Sequence, residues 1–296
     1  ILRIAGAELV AATDVSEKSR KAFSEKYKVK VYDSVEELLA SDIDVVSICT
    51  PSGLHAPQAI QAANAGKHVI VEKPMAINLQ QADEIIEAAE KDSVKISVIS
   101  QLRFSQSIQK VKNAINENLL GRLVSGDVYM KFFRSQEYYD QSGWRGTWKM
   151  DGGGALMNQG IHGIDLLCYL MGPVKYVHGF TRTLARNIEV EDTASAILEY
   201  ENGALGVIQG TTSIYPGLPR RIEISGDKGT IILEEDKIVK WCIEGQETPD
   251  EFVSGSSTNK SFSDPAAFGI EGHILQISDM VDAINNNRRP MVDQYE

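Results

Sequence analysis

The chain has 296 residues, 43% of them hydrophobic and 24% charged, with a formal net charge of −11 at pH 7. That is globular composition, long enough for two modest domains. The acidic balance excludes nucleic-acid binding as the main task, because phosphate affinity needs a concentrated basic surface.

No apolar run reaches the roughly 18 residues of a membrane-spanning helix, and no signal peptide is visible. The cytoplasm is the expected location. Cys49, Cys168 and Cys242 lie far apart in apolar runs, with no C-x-x-C pair. They are expected to be buried free thiols. No metal is expected.

The first strand is read over 8–14 and ends on Asp14. A helix follows over 16–28, with Ser16 as its cap and Glu17 in its first turn. A strand that ends on an acid before a helix is how the second strand of a dinucleotide fold finishes, with the acid on the adenosine ribose. Neither G-x-G-x-x-G nor G-x-x-x-x-G-K occurs in the sequence. Asp14 can equally be an Asp that opens a turn.

Strand and helix then alternate. A strand over 29–32 precedes a helix over 34–41, and a buried strand over 43–50 leads into Pro51-Ser52-Gly53-Leu54-His55 and a helix to Ala65. The next stretch organises the chain: His68-Val69-Ile70-Val71-Glu72-Lys73-Pro74. Its short apolar run reads as a strand buried on both faces, as in a parallel sheet. A charged pair cannot continue such a strand cheaply, so Glu72 and Lys73 belong at its carboxyl end, where open α/β sheets bind ligands. A lysine near a dry crevice can serve as acid or base. A helix over 79–91 capped by Asn78, a strand over 95–100 and a helix over 105–119 complete a parallel α/β half.

Near Gly121 the texture changes. A long strand over 123–133 and a glycine-rich loop, Asp151-Gly152-Gly153-Gly154, precede a helix over 155–171. Asn158, His162 and Asp165 share one face of that helix, and Asp165 is placed to hold the His162 tautomer. The glycine loop reads either as an anion-binding turn at a helix start or as a plain tight turn. Strands over 176–184, 193–200, 204–214, 221–225, 230–234 and 238–243 follow. Asn202-Gly203 is a hairpin signal. These strands imply an antiparallel sheet, and Tyr215, just past one of them, is a candidate substrate contact. Residues 245–265 read as a polar mobile loop, and 273–286 as a last helix. The fold class is therefore α/β: a Rossmann-type parallel-sheet domain over 1–120, then an α+β domain with a mainly antiparallel open sheet over 121–296.

Three motifs in register carry a family resemblance: Thr50-Pro51-Ser52-Gly53-Leu54-His55; Glu72-Lys73-Pro74; and Gly153-Gly154-Ala155-Leu156-Met157-Asn158-Gln159-Gly160-Ile161-His162-Gly163-Ile164-Asp165. Glu191-Asp192-Thr193-Ala194 and Ile224-Ser225-Gly226-Asp227-Lys228-Gly229 add to it. The chain resembles the glucose–fructose oxidoreductase / inositol dehydrogenase / MocA family over essentially its whole length. The resemblance implies hydride exchange between a nicotinamide cofactor and a secondary alcohol of a sugar, nucleotide-sugar or cyclitol. It implies Lys73 and His162 as the catalytic pair, with a cis Lys73–Pro74 bond. Gln101 and Asn158 would join them at the substrate. Thr50, Pro51, His55 and Glu72 would line the nicotinamide end, with Trp144 and Arg145 near the cofactor. It also implies a homo-oligomer formed through the second-domain sheet.

Two features depart from the family pattern: the glycine turn absent from the sequence, and Asn158 where inositol dehydrogenases of the family often carry Asp. Asp14, with no Arg directly after it, favours NAD over NADP, though Lys18 and Arg20 leave NADP as the second choice. The alternatives are an NAD-dependent glycosidase of the same family, or a non-catalytic ligand-sensing regulator.

Overall fold

The computed structural model describes residues 1–247, 249 and 269–296. It divides into two units, Ile1–Ile99 with His273–Glu296, and Ser100–Gly272. The expected boundary at 120 therefore moves to 99, and the C-terminal helix returns to the first unit. The reason is packing. The helix at 106–116 buries Ile108, Val111 and Ala114 in the same core as the second unit's long sheet.

The first unit contains β1 (Ala11–Thr13), α1 (Glu17–Tyr27), β2 (Lys30–Tyr32), α2 (Val35–Leu39), β3 (Val45–Ile48), α3 (His55–Asn64), β4 (His68–Val71), α4 (Leu79–Lys91) and β5 (Ile96–Val98). The helices start where the sequence places caps. Ser16 Oγ accepts from the Ser19 amide, Ser34 from Glu37, and Asn78 from Gln81; each bond satisfies a first-turn N–H that has no helical partner.

All strand pairs here are parallel, but they form two sheets, β1–β2 and β3–β4–β5. Ile48, Val71 and Val98 lie in one row across the second sheet, so the residues after them leave along a single edge. Strand β4 is buried on both faces, as its apolar run requires. Val69 and Val71 pack with Ala59, Ala62, Ala63 and Ile85. Ile70 packs on the other side against Ile99 and Met280 of a helix, Glu271–Asn285. Gln276 of that helix donates to Ser97 Oγ at 3.3 Å and to the Val98 carbonyl at 2.6 Å.

The second unit holds α5 (Gln106–Asn116), β6 (Leu123–Lys131), α6 (Gln136–Asp140), α7 (Ile161–Met171) and β7–β12 (Val174–Arg182, Thr193–Tyr200, Leu205–Thr211, Arg221–Gly226, Gly229–Glu234, Lys237–Ile243). The C-terminal helix at Glu271–Asn285 is α8. The seven strands run in the order β12-β11-β10-β6-β9-β8-β7. Only β6–β9 is parallel among these pairs. One face packs on α5 and α7, through Leu166, Leu167 and Leu170 against Val128, Met130, Ile222 and Ile224. Tyr176, Val177, Phe180, Ile197 and Leu205 remain exposed. The Asn202-Gly203 hairpin forms as read, with Gly203 at φ 85° and Asn202 Oδ1 accepting from the Ala204 amide.

Two expectations change. The helix read over 155–171 is a π-helical turn, Ala155–Gln159, followed by an α-helix that starts at Ile161. The Gly160 amide reaches back five residues to the Ala155 carbonyl at 2.8 Å. Two of the thiols are not buried: Cys49 and Cys242 are exposed, and Cys168 is half-buried, its thiol pushed up by burial. Cys242 faces out because its strand neighbours Trp241 and Ile243 face the core. Most of the polar loop read over 245–265 lies outside the described residues. Among the described residues no helix is long and apolar enough to cross a membrane.

Candidate active site

In the first unit the site is built at the carboxyl ends of β3 and β4. Glu72 turns one carboxylate oxygen back onto the Lys73 amide at 3.2 Å. Its other oxygen has no partner among the described residues. Lys73 is half-buried, and the Lys73–Pro74 bond is cis.

His55 does not present a free ring. It is 1% exposed, with Nδ1 2.6 Å from the Pro74 carbonyl and Nε2 2.8 Å from the Thr50 carbonyl. It ties the end of β3 to the turn after Lys73. Thr50 Oγ1 donates to Gln58 Oε1 at 2.9 Å. Thr50 and His55, expected at the cofactor, thus use these side-chain groups inside the protein. Pro51 opens a 3₁₀ turn, Ser52–Leu54, that leads into α3.

Asp14 follows β1 directly. One of its oxygens accepts from the Ser16 amide at 2.7 Å, which makes it a turn-opening Asp, and its carbonyl accepts from Arg20 at 2.7 Å. The other carboxylate oxygen has no partner among the described residues. Asp14 and Glu72 thus each keep one carboxylate acceptor, a chemistry that fits the hydroxyl and amide donors of a nicotinamide dinucleotide. No residue is assigned to the diphosphate.

In the second unit Asn158 sits on the π-helical turn and His162 in the first turn of α7. The Asn158 amide is held at both ends. Its Nδ2 donates to Asp151 Oδ1 at 2.6 Å, and its Oδ1 accepts from Gln159 Nε2 at 3.2 Å. A carboxylate only accepts, which fixes the orientation of the amide. Gln159 also donates to the Tyr138 hydroxyl at 3.1 Å and accepts from Arg134 at 2.8 Å.

Asp165, the residue read as holding His162, carries Arg103, whose Nε stands 3.1 Å from both carboxylate oxygens and whose NH2 stands 2.7 Å from one. Arg103 is 3% exposed, and a buried guanidinium requires a counter-charge. Spacing along the helix could not reveal a partner 62 residues away.

Gln101 is nine-tenths buried, and its Oε1 has no hydrogen-bond partner among the described residues. Buried amide oxygens are nearly always satisfied, so this acceptor suits a ligand hydroxyl. Tyr215 is 81% exposed, with its ring edge-on to Phe133 at 5.3 Å. Arg145 lies 4.3 Å over the Tyr138 ring and 5.4 Å from that of Trp144.

The glycine-rich loop is not a vacant anion site. Glu191 takes its donors: the Gly154 and Leu156 amides at 2.8 and 3.0 Å on its carboxylate, and the Ala155 amide at 2.8 Å on its carbonyl. Gly154 is obligatory there, since a Cβ would stand 1.7 Å from the Glu191 carbonyl oxygen. Asp192, fully buried, accepts from the amides of Leu184, Ala185 and Arg186 and from the Thr193 hydroxyl. Burial pushes its carboxyl up, but these bonds outweigh that and hold it below its ordinary value. The adjacent pair Glu191-Asp192 signalled the resemblance, but nothing in the sequence assigned these roles.

Residues 2–100 match the oxidoreductase family with an NAD-binding Rossmann fold, and residues 108–232 match the GFO/IDH/MocA C-terminal domain. The WlbA dehydrogenase of Bordetella pertussis, solved in complex with NADH and UDP-GlcNAcA, is 35% identical, with a TM-score of 0.87 over 98% of this chain and 84% of that one. The myo-inositol 2-dehydrogenase of Thermotoga maritima is 31% identical over 239 residues, 76% of this chain and 67% of that protein. The D-glucoside 3-dehydrogenase of Escherichia coli is 30% identical over 219 residues, 67% of this chain and 61% of that protein. By both domain matches, the chain belongs to the GFO/IDH/MocA family of NAD-binding oxidoreductases.

Proposed function

We propose that the protein is an NAD-dependent dehydrogenase acting on a secondary alcohol of a sugar, with nucleotide-linked sugars ahead of cyclitols. The observation that carries this is Lys73, half-buried at the carboxyl edge of a parallel sheet. Asn158 supports the order of substrates. Its amide gives and accepts hydrogen bonds but is no base, and it stands where inositol dehydrogenases of the family often carry Asp. The likeness to WlbA along 98% of the chain points the same way.

In this reading Lys73, in its neutral form, takes the hydroxyl proton as the carbinol becomes a carbonyl, and His162 is the second proton carrier. Such general-base assistance contributes roughly 10²–10⁴-fold. Gln101, Asn158 and Tyr215 bind and orient substrate hydroxyls. The bound nicotinamide supplies the hydride acceptor. Asp14 and Glu72 hold the cofactor's two ends, Thr50, Pro51 and His55 shape the nicotinamide end, and Trp144 and Arg145 stand near it.

NAD is preferred over NADP, because the Asp14 carboxylate repels a 2′-phosphate. Arg20 is already engaged by Asp33 at 2.8 Å and by the Asp14 carbonyl. Calorimetry with NADH and NADPH tests this, and tighter binding of NADPH would overturn it. The exposed apolar face formed by Tyr176, Val177, Phe180, Ile197 and Leu205 supports assembly with a second copy, an exposure too concentrated for a monomer. Light scattering on the eluted protein tests that, and a monomer would overturn it.

The test of function is NAD⁺ reduction across UDP-sugars, free sugars and inositols. Turnover with one class supports a dehydrogenase. Hydrolysis of an aryl glycoside without net NADH would overturn it in favour of a glycosidase.

A further inference from the structure

Four side chains of the second unit form one chain of hydrogen bonds that all run the same way. Arg134 Nη2 donates to Gln159 Oε1 at 2.8 Å, Gln159 Nε2 donates to Asn158 Oδ1 at 3.2 Å, and Asn158 Nδ2 donates to Asp151 Oδ1 at 2.6 Å. Both ends are charged and buried, Arg134 at 6% exposure and Asp151 at 2%. A guanidinium only donates and a carboxylate only accepts. Each amide between them therefore has one orientation, since turning either would set donor against donor and acceptor against acceptor. Bonds in such a chain polarise one another in a desolvated setting.

The anionic end is anchored. Asp151 Oδ2 accepts from the Gly146 amide at 2.9 Å, and the Thr147 carbonyl accepts from the Asp151 and Gly152 amides at 3.0 and 3.3 Å. Gly146 stands at φ 73°, and a Cβ there would lie 2.8 Å from Ile188 Cγ2, so the turn takes the one residue without a side chain. Asn158 is fixed from the other side by the π-helical turn, whose Gly154 and Leu156 amides are held by Glu191.

This arrangement dictates what position 158 can carry. Both Asp151 oxygens accept from N–H groups, so residue 158 has to supply a donor. A carboxylate at 158 would stand at hydrogen-bond distance from the Asp151 carboxylate, and two such groups do not both ionise. We propose that Asp151 is a positioning residue for substrate recognition: it holds residue 158 to a neutral amide of fixed orientation, which binds a substrate hydroxyl and does not take its proton. The substrate half of the inference rests on the dehydrogenase reading, and it leaves Lys73 and His162 as the proton carriers.

The experiment exchanges the two residues in the full-length protein. In Asp151→Asn with Asn158→Asp every bond is conserved: the Gly146 amide donates to the amide oxygen now at 151, the amide nitrogen there donates to the carboxylate now at 158, and Gln159 donates to that carboxylate's other oxygen. Urea unfolding compares wild type, Asn158→Asp and the exchange variant from about pH 4, near the ordinary Asp value, to about pH 8. In Asn158→Asp the two carboxyls share a proton, and the folded-state value of the pair's second step is raised. The stability this proton provides is fully present below the unfolded value and is lost as pH rises through the folded one. The urea midpoint of Asn158→Asp therefore falls relative to wild type on approaching neutral pH. The exchange variant recovers the wild-type midpoint and does not show that slope. An Asn158→Asp profile parallel to wild type overturns the proposal, as does an exchange variant no more stable than the single one.

Kinetics with NAD⁺ and UDP-glucose, glucose or myo-inositol test the role in recognition. In Asp151→Asn, residue 151 can donate or accept and no longer dictates the amide at 158. KM for the sugar that turns over rises about tenfold, the scale of one misdirected hydrogen bond, with kcat changed less and affinity for NADH, read by calorimetry, within a few-fold. An unchanged KM assigns Asp151 to folding alone and overturns its role in recognition. Turnover of none of the three, with the midpoint pattern intact, counts against the dehydrogenase reading and leaves the coupling of 151 with 158 standing.

Discussion

The His55 Nδ1 stands 2.6 Å from the carbonyl oxygen of Pro74, the residue after Lys73. The other ring nitrogen stands 2.8 Å from the Thr50 carbonyl. One buried ring thus fixes two strand ends, and the lysine follows the second. His55→Ala removes both ties. A displacement of about 1 Å in a catalytic group reduces rate about 10²-fold, so kcat is expected to fall by that order while affinity for NADH changes less. Steady-state kinetics beside calorimetry check this. A variant that loses NADH affinity and keeps kcat would make His55 a cofactor contact instead.

Arg103 and Asp165 form a second such relationship, with side chains 4% and 16% exposed. Asp165→Ala removes a counter-charge from a buried guanidinium, a loss of about 3–5 kcal/mol. Replacing both partners, Arg103→Met with Asp165→Leu, restores much of it. Urea unfolding of the three variants checks the order. Equal destabilisation by the single and double changes would contradict it.

Gly154→Ala drives a methyl group into the Glu191 carbonyl oxygen. Overpacking of this kind costs about 1–3 kcal/mol and sometimes more. The variant is expected to unfold several degrees lower and to lose turnover, because the π-helical turn that carries Asn158 starts there. An unchanged melting temperature would show that the loop moves aside freely.

Asp192 gives a pH signature. Its carboxyl lies below its ordinary value of 3.8 in the folded protein. Its contribution to stability is therefore fully present above 3.8 and is lost as pH falls through the lower folded value. Asp192→Asn is expected to lose about 2–3 kcal/mol at neutral pH and to show a shallower stability loss below pH 4 than wild type. Denaturant unfolding at several pH values checks both, and parallel acid profiles would contradict the assignment.

The sequence disclosed what local chemistry governs. Caps at Ser16 and Asn78 and the Asn202-Gly203 turn are each determined within a few residues. The double-sided burial of β4 was legible in its apolar run, although the helix that covers its second face, α8, lies about 200 residues away and its partnership was not. Long-range polar pairs were illegible for the same reason. Arg103 with Asp165, and Glu191 with the amides of 154–156, depend on where the chain returns in space. The break at Gly160 was hidden because Asn158, His162 and Asp165 have helical spacing whether or not the turn before α7 is widened. His55 was read as lining the cofactor, but its ring is turned inward to two carbonyls, a choice that no residue pattern encodes.

The most direct test of the account adds NAD⁺ and a panel of UDP-sugars, free sugars and inositols to the full-length protein and follows reduced-nicotinamide absorbance, with wild type and Lys73→Ala side by side. The account predicts NADH formation by wild type and none above background by the variant, with affinity for NAD within a few-fold. Turnover retained by Lys73→Ala would remove the lysine from the mechanism and contradict the account.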